Sequence, residues 1–174
     1  MQGVDVRKML NSLPLPITVI TVGNKNKKAA MTASWVNQLS WSPPYIGVAI
    51  YHSWYTLKLI REYREFAVHL VSSDLVEAAV RIFGSMSSKK VDKFKIARIT
   101  VVPSKRVKAP IIIKAPIVYE CKVIKILKIG DHYLVIGEPL VAYRNNDKLP
   151  VILYDNVHKI GDLIKVYQKN PNKM

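Results

Sequence analysis

Three short stretches of this 174-residue chain bring together residue types able to do chemistry. The first is Tyr51-His52-Ser53-Trp54-Tyr55-Thr56, which joins a predicted strand to a predicted helix. Ser53 suits the N-cap and Thr56 falls in the first turn. A helix amino end carries free N–H groups and a partial positive charge, which together bind phosphate. A simple cap by Ser53 is the competing reading. The second is Met31-Thr32-Ala33-Ser34-Trp35. Strand period places Thr32 and Ser34 on one face with the small Ala33 between them. A flat ring could lie against such an edge and take hydrogen bonds from backbone and hydroxyls. An ordinary strand with two polar surface residues is the alternative. The third is Gly130-Asp131-His132, where a tight turn holds His132 at a strand start and aims it over a site or simply at solvent.

Other chemistries are missing from the pattern. The seven glycines form no phosphate loop and no dinucleotide fingerprint. The four histidines show no metal-ligand spacing, and the single Cys121 excludes a disulfide framework or a cysteine zinc site within one chain, so no metal is expected. A reducing cytoplasm fits one cysteine. Met1–Leu13 carries Asp5, Arg7 and Lys8 and does not read as a signal peptide. The most apolar stretch, Ala109–Val118, is interrupted by Lys114, Pro110 and Pro116, well short of the ~18 residues of a membrane span.

The formal net charge is +15. A basic surface attracts nucleic acid or small anions. Here the cations are scattered, and Trp35, Trp41 and Trp54 lie in the least basic part of the chain. Aromatics do not interleave with cations as a base-stacking platform requires, which argues against a nucleic-acid partner.

The elements that must position these residues follow from periodicity. Asp5–Leu13 reads as a short helix stopped by Pro14. Ile17–Val22 and Ala29–Trp35 read as a hairpin across the Gly23–Asn26 turn, and Tyr45–Tyr51 as a buried strand. Ser53–Tyr63 has helical spacing, with Leu57, Ile60 and Tyr63 on one face. Phe66–Val71 is a strand, and Asp74–Phe83 a helix capped by Asp74 and ended by Gly84. Ile99–Val102 is a strand. Pro116–Ile129 and His132–Tyr143 form a long hairpin about Gly130-Asp131, whose leading glycine suits a type II′ turn. Val151–Tyr154 and Leu163–Tyr167 are short strands. With hydrophobic residues at 49% and no strand–helix alternation, a single domain over 1–174 is expected, built as a mainly β antiparallel barrel with two or three short helices.

In order along the chain, Ala30-Met31-Thr32-Ala33-Ser34-Trp35, Leu39-Ser40-Trp41-Ser42-Pro43-Pro44, Thr56 with Leu59-Ile60 and Glu65-Phe66-Ala67-Val68 form a series. It continues through Val91-Asp92-Lys93-Phe94, Ala109-Pro110, Glu120-Cys121-Lys122-Val123, Gly130-Asp131-His132 and Ile136-Gly137-Glu138. This series resembles the flavin-reductase-like family. The resemblance implies an FMN-binding split barrel, dimeric, taking hydride from NADH or NADPH onto the flavin. Electrons would then pass to free flavin, a ferric complex or a partner protein. An FMN electron carrier without nicotinamide activity is the second reading. Carried over residue by residue, Thr32, Ala33, Ser34 and Trp35 would line the isoalloxazine edge, Ser53 and Thr56 would hold the phosphate, His132 would sit near the nicotinamide or ring face, and Lys93 would approach the phosphate. Ser87-Ser88 departs from the family's Ser-Gly, and His69 stands where Asn is common.

Overall fold

A computed structural model describes residues 3–153. The predicted Leu163–Tyr167 strand lies outside them. Strands run β1 (Leu15–Pro16), β2 (Thr18–Gly23), β3 (Lys28–Ala33), β4 (Val36–Ser40), β5 (Tyr45–Tyr51), β6 (Glu65–Leu70), β7 (Val101–Val102), β8 (Ile111–Ile112), β9 (Ile117–Ile129), β10 (His132–Arg144) and β11 (Ile152–Leu153). Helices are α1 (Val6–Leu10), α2 (Tyr55–Tyr63), α3 (Val76–Ala78) and α4 (Lys93–Ile96). The fold is mainly β with few helices, as expected.

Seven strands form one antiparallel sheet in the order β3-β2-β6-β9-β10-β5-β4. Its two outermost strands, β3 and β4, are consecutive in the chain and joined only by Ser34-Trp35. Laid flat, six strand spacings would separate them by roughly 29 Å. A link of three Cα steps reaches about 11 Å. The sheet must therefore curl until its edges meet, and this is the physical origin of the split barrel. The predicted Ala29–Trp35 strand is accordingly too long: it ends at Ala33, because Ser34 and Trp35 make the crossing. The Trp35 carbonyl accepts the Ala49 amide at 2.9 Å on the far side.

Two apolar clusters fill the fold. Ile20, Met31, Val48, Ile60, Phe66 and Val135 belong to the cluster inside the barrel, with α2 packed into it through Leu57, Leu59 and Ile60. Val19, Ala30 and Ala67, on the opposite face of the same strands, pack under the segment that includes Leu75, Phe83, Phe94 and Ile112. Strand β2 is buried along its whole length for that reason.

The predicted Asp74–Phe83 helix is corrected. It is a 3₁₀ turn (Ser73–Leu75), the short α3, and a π turn (Ala79–Phe83). Asp74 caps nothing; its carboxylate accepts from Ser72 Oγ and Lys148 Nζ, both at 2.6 Å. The Ala79 carbonyl takes the Gly84 amide at 2.8 Å and the Thr32 hydroxyl, which shifts the pattern to i→i+5. His69 also has a structural place. Its Nδ1 lies 3.0 Å from the Val19 carbonyl, and its Nε2 accepts the Ile112 amide at 3.1 Å. The ring is therefore the neutral Nδ1–H tautomer, and burial lowers its pKa to about 4. No helix among the described residues is long and apolar enough to cross a membrane.

Candidate functional site

A cleft of about 900 Å³ opens beside the amino end of α2. Ser53, Thr56 and Lys93 all line it. Ser53 is not the helix cap: Trp54 holds that position, and no side chain caps the helix. The Leu57 and Lys58 amides reach back to the Trp54 carbonyl. Among the described residues the Tyr55 and Thr56 amides have no backbone partner, and the Ser53 and Thr56 hydroxyls make no hydrogen bond. Two amides and two hydroxyls thus converge at the positive end of a nine-residue helix.

The opposite wall is the free edge of β3. Ser88 docks on it, its hydroxyl accepting the Ala30 amide and donating to the Ala30 carbonyl, each at 3.1 Å. That is the role played by the departure at Ser87-Ser88: Ser88 substitutes for a neighbouring strand. Lys93 secures the same loop. Its ammonium donates to the Ala30 carbonyl at 2.8 Å and the Phe83 carbonyl at 2.7 Å. Burial lowers its pKa to about 8. Two of its three N–H donors are thus committed to backbone.

Because alternate residues of an antiparallel edge strand turn their peptide groups outward, Thr32 presents its N–H and C=O as Ala30 does, two residues further on. Its hydroxyl is taken by Ala79, and the Ala33 methyl points into the barrel core. Thr32, Ala33, Ser34, Trp35 and His132 are not among the residues that line the cleft, where β3 is represented by Ala30 and Met31. Ser34 is half-buried at the crossing, and Trp35 is exposed.

The structure brings Trp35 and His132 together, with ring centroids 4.6 Å apart. Tyr51 meets His132 edge-on at 5.4 Å and His52 at 4.3 Å. Since His52 lines the cleft, this aromatic row runs from it to the barrel seam. Gly130 has φ +57° and Asp131 does not have positive φ, matching a type II′ turn. The Asp131 carboxylate lies 2.7 Å from His132 Nδ1. A carboxylate only accepts, so Nδ1 carries the proton and Nε2 faces away. This hydrogen bond from His132 holds the Asp131 carboxyl below its ordinary range. The Asp131 carbonyl in turn accepts the His52 amide at 3.2 Å, linking hairpin to helix start. The sequence assigns Tyr51 and His52 no role of their own. Their adjacency to Ser53 was visible, but their faces were not. Cys121 is buried in the barrel, and burial pushes its thiol up to about 12. It is a core residue. Among the described residues no acidic, histidine or cysteine cluster suits a metal.

The fold has counterparts. A family model described as a flavin reductase like domain matches residues 10–161. The NADH:FAD oxidoreductase of Streptomyces globisporus has a solved structure that superposes with TM-score 0.80 at 25% identity, covering 88% of this chain and 93% of that one. Flavoredoxin from Methanosarcina acetivorans superposes with TM-score 0.76 at 26% identity, covering 87% and 86%. An uncharacterized protein of Archaeoglobus fulgidus is 40% identical over 136 residues, 78% of this chain and 76% of that protein. The chain belongs to the flavin-reductase-like family.

Proposed function

We propose that this chain binds flavin through its FMN moiety, takes hydride from NADH or NADPH onto it, and hands electrons to free flavin, a ferric complex or a partner protein. The observation that carries the reading is the α2 amino end: two amides without a backbone partner among the described residues, and the hydroxyls of Ser53 and Thr56, open on a cleft whose other walls include Ala30 and Met31 of β3. A phosphate matches the donors, and a flat heterocycle matches the edge. When bound, the flavin supplies the hydride chemistry.

The residues of the chain then have definite tasks. Ser53, Thr56 and their amides hold the phosphate. The third N–H of Lys93 adds a buried cationic donor beside it. The backbone of Thr32 and Ala33, with Ser34 and Trp35, meets the ring edge. Asp131 is a positioning residue that fixes the His132 imidazole, and His132 orients the nicotinamide against the ring face. We further propose a homodimer. Register places Ile129, His132 and Tyr51 side by side on the barrel exterior, with Leu127, Leu134 and Ala49 beside them and Leu39 over Gly47. Trp35, Leu39, Leu127 and Ile129 are exposed there, an apolar face next to the site. The test is titration of apo-protein with FMN: quenching that saturates near one flavin per subunit, followed by bleaching with NADH or NADPH, is expected. No quenching at micromolar FMN would overturn the reading. Binding without bleaching would leave the electron-carrier alternative.

A further inference from the structure

Cations that are scattered in the sequence are gathered by the fold beside the cleft. The end of the β2–β3 hairpin carries Lys25, Lys27 and Lys28, and the segment from Ser88 into α4 carries Lys89, Lys90 and Lys93. All six line one shallow concavity that shares Tyr55, Ser88, Lys89 and Lys93 with the cleft. Carboxylates do not neutralise this rim. Among the described residues lining it, Asp92 is the only carboxylate, and Lys28 holds it at 3.2 Å. Glu62 of α2 is held by Lys27 at 2.6 Å, and Lys93 is committed to two carbonyls. Lys25, Lys89 and Lys90 are exposed and have no carboxylate partner among the described residues. Lys58, on the side of α2 that lines the cleft, is exposed and has none either. Like charges brought together raise the energy of the fold, and negative charge from outside relieves it.

We propose that this rim is the docking surface for a small acidic electron-transfer protein, which takes up the electrons leaving the cleft. The proposal rests on reading the cleft as a flavin site. The free lysines stand on two separate exposed segments, so they meet a convex acidic surface rather than enclose a small anion. Of the rim's two aromatics Phe94 is buried, which leaves Tyr55 alone and no row of rings for a nucleic acid to stack on. A positive field at this place steers an acidic partner to the mouth of the cleft and rejects a basic one. The balance is one NADH oxidised to NAD, with release of one proton, for every two one-electron acceptors reduced.

The test uses one acceptor in two forms: native cytochrome c, which is basic, and succinylated cytochrome c, whose lysines have become carboxylates. Rates are taken relative to those with free reduced FMN, which corrects for the haem and for dissociated flavin. The flavin-loaded protein with NADH should reduce the succinylated form at least about tenfold faster than the native form at low ionic strength. Salt at roughly 1 M, with a screening length of about 3 Å, should remove the difference. Lys25→Glu/Lys90→Glu should lose the preference and keep its FMN affinity and its bleaching by NADH. Lys105→Glu/Lys108→Glu makes the same change in net charge on another loop, which is anchored on Glu120 and Glu65 by backbone amides, and should keep the preference. Equal rates with the two cytochromes, or equal losses in the two variants, would overturn the proposal. Loss of FMN affinity or of bleaching in Lys25→Glu/Lys90→Glu would assign the rim to a nucleotide and overturn it as well. Retention of succinylated cytochrome c by the immobilised protein, compared across the same variants, reads the docking surface without flavin. A chain that binds no FMN therefore fails the flavin reading separately, and its rim is still tested. Retention of a DNA duplex in place of the cytochrome, lost in the same variant, would assign the rim to nucleic acid and overturn the proposal.

Discussion

The proposed phosphate seat makes the sharpest demand on experiment. Replacing Ser53 and Thr56 together by alanine removes two hydroxyls that have no protein partner among the described residues, so the fold loses little. Ser53 is exposed and not the cap, and Thr56→Ala in a helix first turn improves propensity while vacating one methyl. Bound FMN would lose two hydrogen bonds to a dianion. Each is worth about 1.5–3 kcal/mol, or one to two decades in affinity. The Tyr55 and Thr56 amides and the helix field remain, so binding is weakened rather than abolished, by roughly 10²- to 10⁴-fold. Riboflavin lacks the phosphate, and its affinity should change by less than about threefold. Flavin fluorescence quenching measures both ligands on one preparation, and a thermal melt checks the fold. Equal weakening of FMN and riboflavin, or unchanged FMN binding, would refute the assignment.

Three further outcomes are expected. His132→Ala should keep its fold and FMN but lose at least roughly tenfold in the rate of flavin bleaching by NADH and NADPH, about 1.4 kcal/mol of barrier, read by stopped flow. His69 is neutral when folded and protonates more readily when unfolded, so below pH ~6.5 the unfolded chain binds the extra proton. Stability should therefore fall as pH drops from about 6.5 to about 4, by about 3 kcal/mol at the lower end, and His69→Asn should flatten that part of a denaturant-midpoint profile. Sedimentation should show a dimer that Ile129→Lys converts to monomer; a wild-type monomer with flavin fully bound contradicts the proposed interface.

Much of the scaffold was legible because its signals are local. Tyr45–Tyr51 and the β9–β10 hairpin fall within a residue of their expected bounds, since strand period and the Gly130-Asp131 turn fix them without help from distant residues. Strand β4 left no such trace, for only Val36 of Val36–Ser40 is buried. The Asp74–Phe83 segment has helical spacing, but partners far away in sequence decide its form: Thr32 on Ala79, Lys93 on Phe83, Lys148 on Asp74. Lys93 shows the same limit at the site. Its place in the chain suggested a phosphate ligand, whereas its two carbonyl partners arise from a fold that brings Ala30 and Phe83 together. His69 likewise could be read only as a substitution until Val19 and Ile112 met it.

The position of the site follows from how the barrel closes. The Ser34-Trp35 crossing is forced by the joining of the two outermost strands, and it leaves β3 with an unpaired edge that ordinary sheets cover. Ser88 and Lys93 cover it at Ala30 and stop there, so the peptide group of Thr32 is the part left open. The crossing also lays Trp35 on His132, and Tyr51, which pairs with His132, is the last residue before the loop into α2. Tyr51 and His52 thus carry the chain from the His132 contact to the start of α2, where Ala30 and Met31 of β3 line the same cleft as Ser53 and Thr56, and no motif encodes these as a unit. An amide-to-carbonyl bond from His52 to Asp131 ties the seam's two sides. A change in the length of that hairpin turn would displace His132 and the start of α2 together, so the two roles proposed for them should fail together.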